Sequence, residues 1–155
     1  IMTPRIVISA LPEEMTISVA TSQLSRNSFS RLPVYNDTID KISGFVLKDD
    51  ILLEHREGAG DKRLSAIKRD VIIVPSSISL LTLFKKILHS RQHLALVVDE
   101  YGGTSGIITL EDILETILGF EIIDEKDRVE DMRILAKKRS EKRLQEIKMG
   151  LERTE

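Results

Sequence analysis

His93-Leu94-Ala95-Leu96-Val97-Val98-Asp99-Glu100-Tyr101-Gly102-Gly103-Thr104-Ser105-Gly106-Ile107-Ile108-Thr109-Leu110-Glu111-Asp112-Ile113-Leu114 reads as strand, turn, strand and helix start in one unbroken run. Leu94 to Val98 is apolar at every position, the pattern of a strand covered on both faces. Asp99 to Ser105 turns the chain through Gly102-Gly103, and Gly106 to Thr109 forms the returning strand. Thr109 with Asp112 three residues later then opens a helix, because a hydroxyl and a carboxylate at that spacing both meet the backbone N–H groups of a first turn.

A weaker copy lies upstream, in Leu32-Pro33-Val34-Tyr35 and Gly44-Phe45-Val46-Leu47-Lys48-Asp49-Asp50-Ile51. One constant offset lays Gly44 on Gly106, Leu32 on Leu94, Val34 on Leu96, Val46 on Ile108, Asp50 on Asp112 and Ile51 on Ile113. A fixed internal offset is the mark of a duplicated unit. Ahead of the weaker copy, Met15 to Ser28 carries Ile17, Ala20 and Leu24 at helical spacing. Ahead of the stronger one, Val71 to Val74 is a β-branched strand ended by Pro75, and Ser76, Ser77 or Ser79 can cap the next helix. That helix places Leu80, Leu83, Phe84, Ile87 and Leu88 on one face. The expected fold is therefore mixed α/β (α+β), with β-α-β-β-α occurring twice, over residues 3–60 and 64–123. Residues 124–155 are expected to form an acidic exit and a charged C-terminal helix, since mixed charge there carries only a patchy apolar stripe from Val129 to Leu151.

Composition narrows the function. The chain has 155 residues, of which 41% are hydrophobic, enough for one sizeable core or two small coupled ones. A net charge of −2 and 4% aromatic residues offer neither an electrostatic footprint nor stacking platforms, so no nucleic acid is expected as a partner. With no cysteine and three unpaired-looking histidines, His55, His89 and His93, no protein metal site is expected. Nor does any apolar run reach the ~20 residues that a membrane-spanning helix needs. Ile1-Met2-Thr3-Pro4 starts as if in mid-motif, as a fragment of a longer protein would.

The chemistry available is concentrated at Thr109 and Asp112. A helix start offers N–H groups and partial positive charge to an anion, and an aspartate in its first turn can accept the paired hydroxyls of a ribose. The same pattern is also what plain helix capping looks like. Glu100, Glu111 and Asp112 lie near one another in sequence, but no nucleophile–base pair or phosphate-cradling glycine loop accompanies them, so no enzyme is expected.

The duplicated β-α-β-β-α unit resembles the CBS domain, which works as an intramolecular pair. It is most similar to the CBS pair of the CorC/HlyC hemolysin-related transporters and their CNNM relatives. Met2-Thr3-Pro4-Arg5 resembles the opening motif of that family, Ser30-Arg31-Leu32-Pro33-Val34-Tyr35 its first-repeat strand, and Val98 to Ile113 its most characteristic string. Glu121 to Asp127 is similar to its acidic exit. The resemblance implies a bound ATP or AMP, which can carry Mg²⁺ on its phosphates, with no cofactor required. By position, it implies Thr109 on phosphate or ribose, Asp112 on the ribose hydroxyls and Arg31 on the phosphates. The backbone around Ile8 and the Leu32-Pro33 strand would line the adenine, with Ser30 and Ile108 completing the set. Leu47 stands where Thr109 would have its copy, so one nucleotide per chain is expected, with Asp50 serving only as a helix cap. Ile6-Val7-Ile8 departs from the family, which usually has an aspartate there. The further implications are a homodimer, built through helices at 80–88 and 113–118, and a cytoplasmic module controlling an attached transmembrane ion-transport domain. A structural dimerisation module with a vestigial pocket is the alternative.

Overall fold

In the computed structural model, residues 1–24 and 29–119 are described, so the expected C-terminal helix and acidic exit lie outside the described residues. The elements run β1 (Thr3–Pro4), a 3-10 turn at Arg5–Val7, β2 (Leu11–Pro12), α1 (Ile17–Leu24), β3 (Arg31–Tyr35), β4 (Ile42–Leu47) and α2 (Lys48–Arg56). A second 3-10 turn at Leu64–Ala66 leads to β5 (Ile72–Pro75), α3 (Leu80–Ser90), β6 (Leu94–Val98), β7 (Thr104–Thr109) and α4 (Leu110–Leu118). From β2 and again from β5, the order is β-α-β-β-α, as the duplication requires.

Each repeat builds its own sheet, β2-β3-β4 in the first and β5-β6-β7 in the second, with one parallel and one antiparallel pairing. The edges are then exchanged. β1 precedes the first repeat but pairs antiparallel with β7 of the second, Thr3 opposite Ile107 and Pro4 opposite Gly106. The linker that precedes the second repeat bridges back to the first, Arg69 opposite Phe45. Both crossings pass over a glycine: a Cβ on Gly106 would lie 2.5 Å from the Thr3 carbonyl oxygen, and one on Gly44 2.4 Å from that of Arg69. Absence of a side chain lets a second backbone lie directly on the strand.

Strand alternation sends one face of each sheet to its own helices. Leu32, Val34 and Val46 join Ile17, Ala20, Leu24 and Ile51 in the first core, while Ala95, Val97 and Ile108 join Leu83, Ile87 and Ile113 in the second. A third cluster lies between the repeats, where Ile8, Ile42 and Leu96 are flanked by Tyr35, Val71, Val98 and Ile107. Each fully buried Leu or Ile stabilises by roughly 1.5–3 kcal/mol, so the interior rests on these three clusters.

Two expectations are corrected here. The constant offset fails in β6: Leu32 pairs with Val46 and Ala95 with Ile108, so the structural counterpart of Leu32 is Ala95 and not Leu94. The second hairpin turn, residues 99–103, is one residue shorter than the first, 36–41. A one-residue shift moves a strand's side chains to the opposite face, and it is what brings Leu96 into the cluster between the repeats. Leu88 also leaves the apolar face assigned to it, being half exposed, whereas Leu83 and Ile87 are fully buried. Ser79 is the residue that caps α3, accepting from the Thr82 N–H at 3.3 Å.

Candidate functional site

Thr109 is the last residue of β7 and the N-cap of α4, so it ends a strand and starts a helix at one point. Ile108 points into the second core and Ile107 into the cluster between the repeats, which puts the Thr109 side chain on the inter-repeat side by alternation. Its hydroxyl donates to Asp112 Oδ2 at 2.8 Å and its N–H donates to the same oxygen at 2.7 Å. The Asp112 N–H returns a bond to Thr109 Oγ1 at 3.2 Å, closing a reciprocal capping box. Both side-chain acceptor contacts use Oδ2, and among the described residues Oδ1 accepts no hydrogen bond. Burial pushes the Asp112 carboxyl above its ordinary value, and the two bonds from Thr109 pull it back in part. The arrangement is a held carboxylate with one acceptor oxygen still available, beside a helix start.

The first repeat lacks this arrangement. Leu47 begins α2 with no side-chain cap. Asp50 was expected to cap that helix, but its Oδ2 instead accepts from Arg69 Nη2 at 2.7 Å. The reason is chemical: without a hydroxyl at 47 nothing draws the carboxylate back over the helix start, and a guanidinium is within reach.

The remaining candidates are spread over both repeats. Leu32 is fully buried in the first core and Ile108 in the second, so backbone is what they can offer a ligand. Ile8 lies in the inter-repeat cluster and its neighbour Val7 is also buried, which accounts for these two apolar residues as packing, whereas Ile6 is exposed. Arg31 stands opposite Leu47 at the start of β3, and Pro33 is opposite Phe45. Both share the Tyr35 face, so Arg31 and Thr109 approach the inter-repeat space from different repeats. Ser30 is exposed, and its carbonyl accepts from the Lys48 N–H at 2.9 Å.

Sequence reading missed a buried polar network. Glu13, only 7% exposed, accepts from Asn36 at 2.8 Å, Ser43 at 2.5 Å and Lys68 at 2.6 Å. The bonds from Lys68 and Ser43 hold its carboxyl below the ordinary range despite burial. A second tie runs between repeats: Asp40 pairs with Arg5 through its side chain and accepts from the Thr104 hydroxyl at 3.0 Å through its carbonyl. These partners are scattered along the chain, and no local spacing announces them. Among the described residues, no three His, Asp or Glu side chains gather as a metal site. None of the described helices is long and apolar enough to cross a membrane.

Two β-α-β-β-α units exchange edge segments and pack against each other through a shared apolar cluster, with the capped start of α4 in the second unit. The CBS domain family matches residues 1–57 and 64–119, and the chain belongs to that family as a CBS pair. It is 38% identical over 131 residues to hemolysin C of Brachyspira hyodysenteriae, covering 84% of this chain and 47% of that one. It is 35% identical over 132 residues to the magnesium and cobalt efflux protein CorC of Escherichia coli, covering 85% and 45%. The chain thus spans less than half the length of these relatives. Among solved structures, the CBS domain of a bacterial CNNM/CorC family Mg²⁺ transporter in complex with ATP matches with a TM-score of 0.74, 35% identity and 79% and 86% coverage of the two chains. A CBS-domain pair with bound AMP from Klebsiella pneumoniae matches with a TM-score of 0.63 and 27% identity, covering 77% and 95%. The relatives are named for ion efflux and hemolysis, and two of the similar structures for the nucleotide they hold.

Proposed function

We propose that this CBS pair is a regulatory module that binds ATP or AMP between its repeats and controls an attached membrane domain transporting Mg²⁺ or another divalent cation. The observation that carries the reading is the half-used carboxylate of Asp112: Oδ2 is fixed by Thr109, and Oδ1 is left to accept from the ribose hydroxyls. Thr109 contributes its hydroxyl oxygen beside the helix start, where ribose or phosphate is favoured. Arg31 supplies positive charge for the phosphates, and backbone near Ile8, Ser30, Leu32, Pro33 and Ile108 lines the base. Mg²⁺ enters on the phosphates of ATP rather than in a cage of protein ligands. The two repeats, 3–60 and 64–123, act together as one pair.

Control of transport requires that the nucleotide bind two states of the module unequally, since equal affinity shifts no population. The second state is supplied by a homodimer whose contact uses the half-exposed Leu81 and Leu88 of α3 and Ile117 and Leu118 of α4. The module lies on the cytoplasmic side, where ATP and AMP are available. A purely structural dimerisation module is favoured by one observation, the packing of Ile8 into the inter-repeat cluster.

Titration calorimetry with AMP, ADP and ATP, with and without Mg²⁺, separates the two readings. Asp112→Ala removes a charge-assisted acceptor worth roughly 1.5–3 kcal/mol and weakens binding about 10- to 100-fold. Asp50→Ala leaves it unchanged. No heat of binding by the wild type at millimolar nucleotide refutes the sensor and leaves the structural module.

A further inference from the structure

The exchanged edge segments set different residues against equivalent strand positions in the two repeats. Where β1 lays Thr3 against Ile107 of the second repeat, the linker lays Arg69 against Phe45, the counterpart of Ile107 in the first. Arg69 is anchored there by two backbone bonds, Arg69 N–H to Phe45 O at 2.8 Å and Phe45 N–H to Arg69 O at 3.0 Å. From that fixed point its guanidinium reaches Asp50 Oδ2 at 2.7 Å. Thr3 has neither the length nor the charge to do this to Asp112. One repeat therefore keeps its ribose-type carboxylate available, and the other holds its counterpart against a cation of the same chain.

We infer that Arg69 closes the first half-site, and that the Arg69–Asp50 pair together with Leu47 limits the chain to one nucleotide. This deepens the nucleotide reading above and rests on it. A hydroxyl pair from a ribose would have to displace an ion pair, in which both partners are charged, with bonds in which only the carboxylate is charged. Leu47 offers no hydroxyl to turn the Asp50 carboxylate back towards the helix start, as Thr109 does for Asp112. The Arg69 and Asp50 side chains are 53% and 30% exposed, so solvent screens the pair and its removal leaves the fold intact. Its effect is on access.

The test is the stoichiometry of ATP binding by calorimetry on wild type, L47T/R69T, L47T/R69M and D112A/L47T/R69T, with folding checked by circular dichroism. The expected values are one site for wild type, two for each double variant and one for the triple. The Met variant keeps an unbranched apolar stem across β4 in case threonine disturbs the linker. A double variant that is folded and still binds one ATP overturns the inference, and so does a wild type that already binds two. Double variants that both fail to fold overturn it too, because the pair would then be a structural tie. If wild type binds none, the nucleotide reading of Asp112 fails separately; a double variant binding one then upholds the inference about Arg69, and one binding none overturns it.

Discussion

Replacing Gly106 with alanine measures how firmly β1 belongs to the sheet of the other repeat. Neither Gly106 nor Gly44 has the positive φ that would itself favour glycine, so the cost of a methyl group at either is one of space. At Gly106 the new carbon would sit 2.5 Å from the Thr3 carbonyl oxygen and 2.9 Å from Met2 Sδ. The methionine sulfur can swing aside, but the carbonyl can reach an ordinary contact only if β1 retreats by about 0.9 Å, since packed interiors tolerate little overlap. The retreat lengthens the two-residue ladder and loosens Met2 from the edge of the second core. Backbone bonds contribute roughly 1 kcal/mol each, and overpacking costs about 1–3 kcal/mol, so G106A should lose about 1–3 kcal/mol. In a chain of this size, that lowers the melting temperature by roughly 3–10 °C. G44A meets the Arg69 carbonyl oxygen at 2.4 Å and Lys68 Cγ at 2.8 Å, in a linker also held by the Phe45 backbone and, through Lys68, by Glu13. That linker cannot peel away cheaply, so the loss should exceed that of G106A. Urea denaturation followed by circular dichroism gives both numbers, with the slope unchanged. A G106A stability within about 0.5 kcal/mol of wild type, or a G44A milder than G106A, refutes the reasoning.

Thr109→Ala removes the capping box of α4 and should cost about 1–2 kcal/mol in the urea midpoint, with Thr109→Ser restoring most of it; equal losses for both would refute the role of the hydroxyl. Ile87→Ala opens a cavity in the second core at a cost of about 2–5 kcal/mol, whereas Leu81→Ala, at 61% exposure, should stay within about 0.5 kcal/mol at concentrations where the chain is monomeric. The pH dependence carries two opposite signs. Glu13 has a folded-state value below its ordinary 4.5, so its contribution is present above 4.5 and is lost as pH falls through the lowered value; Glu13→Gln should flatten the acid limb of the stability curve. Asp112 has a folded-state value above its ordinary 3.8, so it opposes folding increasingly as pH rises from 3.8 through the raised value; Asp112→Asn should remove that decline.

The fold was legible where local patterns repeat. The Thr109-x-x-Asp112 box, the glycines at 44 and 106 and the apolar strands each carry their geometry in a few neighbouring residues. Legibility failed where geometry depends on distant partners. The one-residue difference between the hairpin turns is invisible to a constant offset, because leucines at 94 and 96 give a persuasive but misfaced alignment. Asp50 looks like Asp112 in sequence and behaves differently because Arg69, far along the chain, lies beside it. Glu13, Asn36, Ser43 and Lys68 come from four separate elements or loops, and only the folded chain assembles them.

The reciprocal lending of edge segments makes the two halves a single cooperative object in time as well as in space. β1 leaves the ribosome well before its partner β7, which follows about a hundred residues later, roughly 5–20 s at ordinary synthesis rates. Until then the opening strand has no sheet to join, and the first repeat lacks the linker that completes its own edge. Half of this chain therefore is not a smaller version of the whole, and unfolding should release both repeats in one transition.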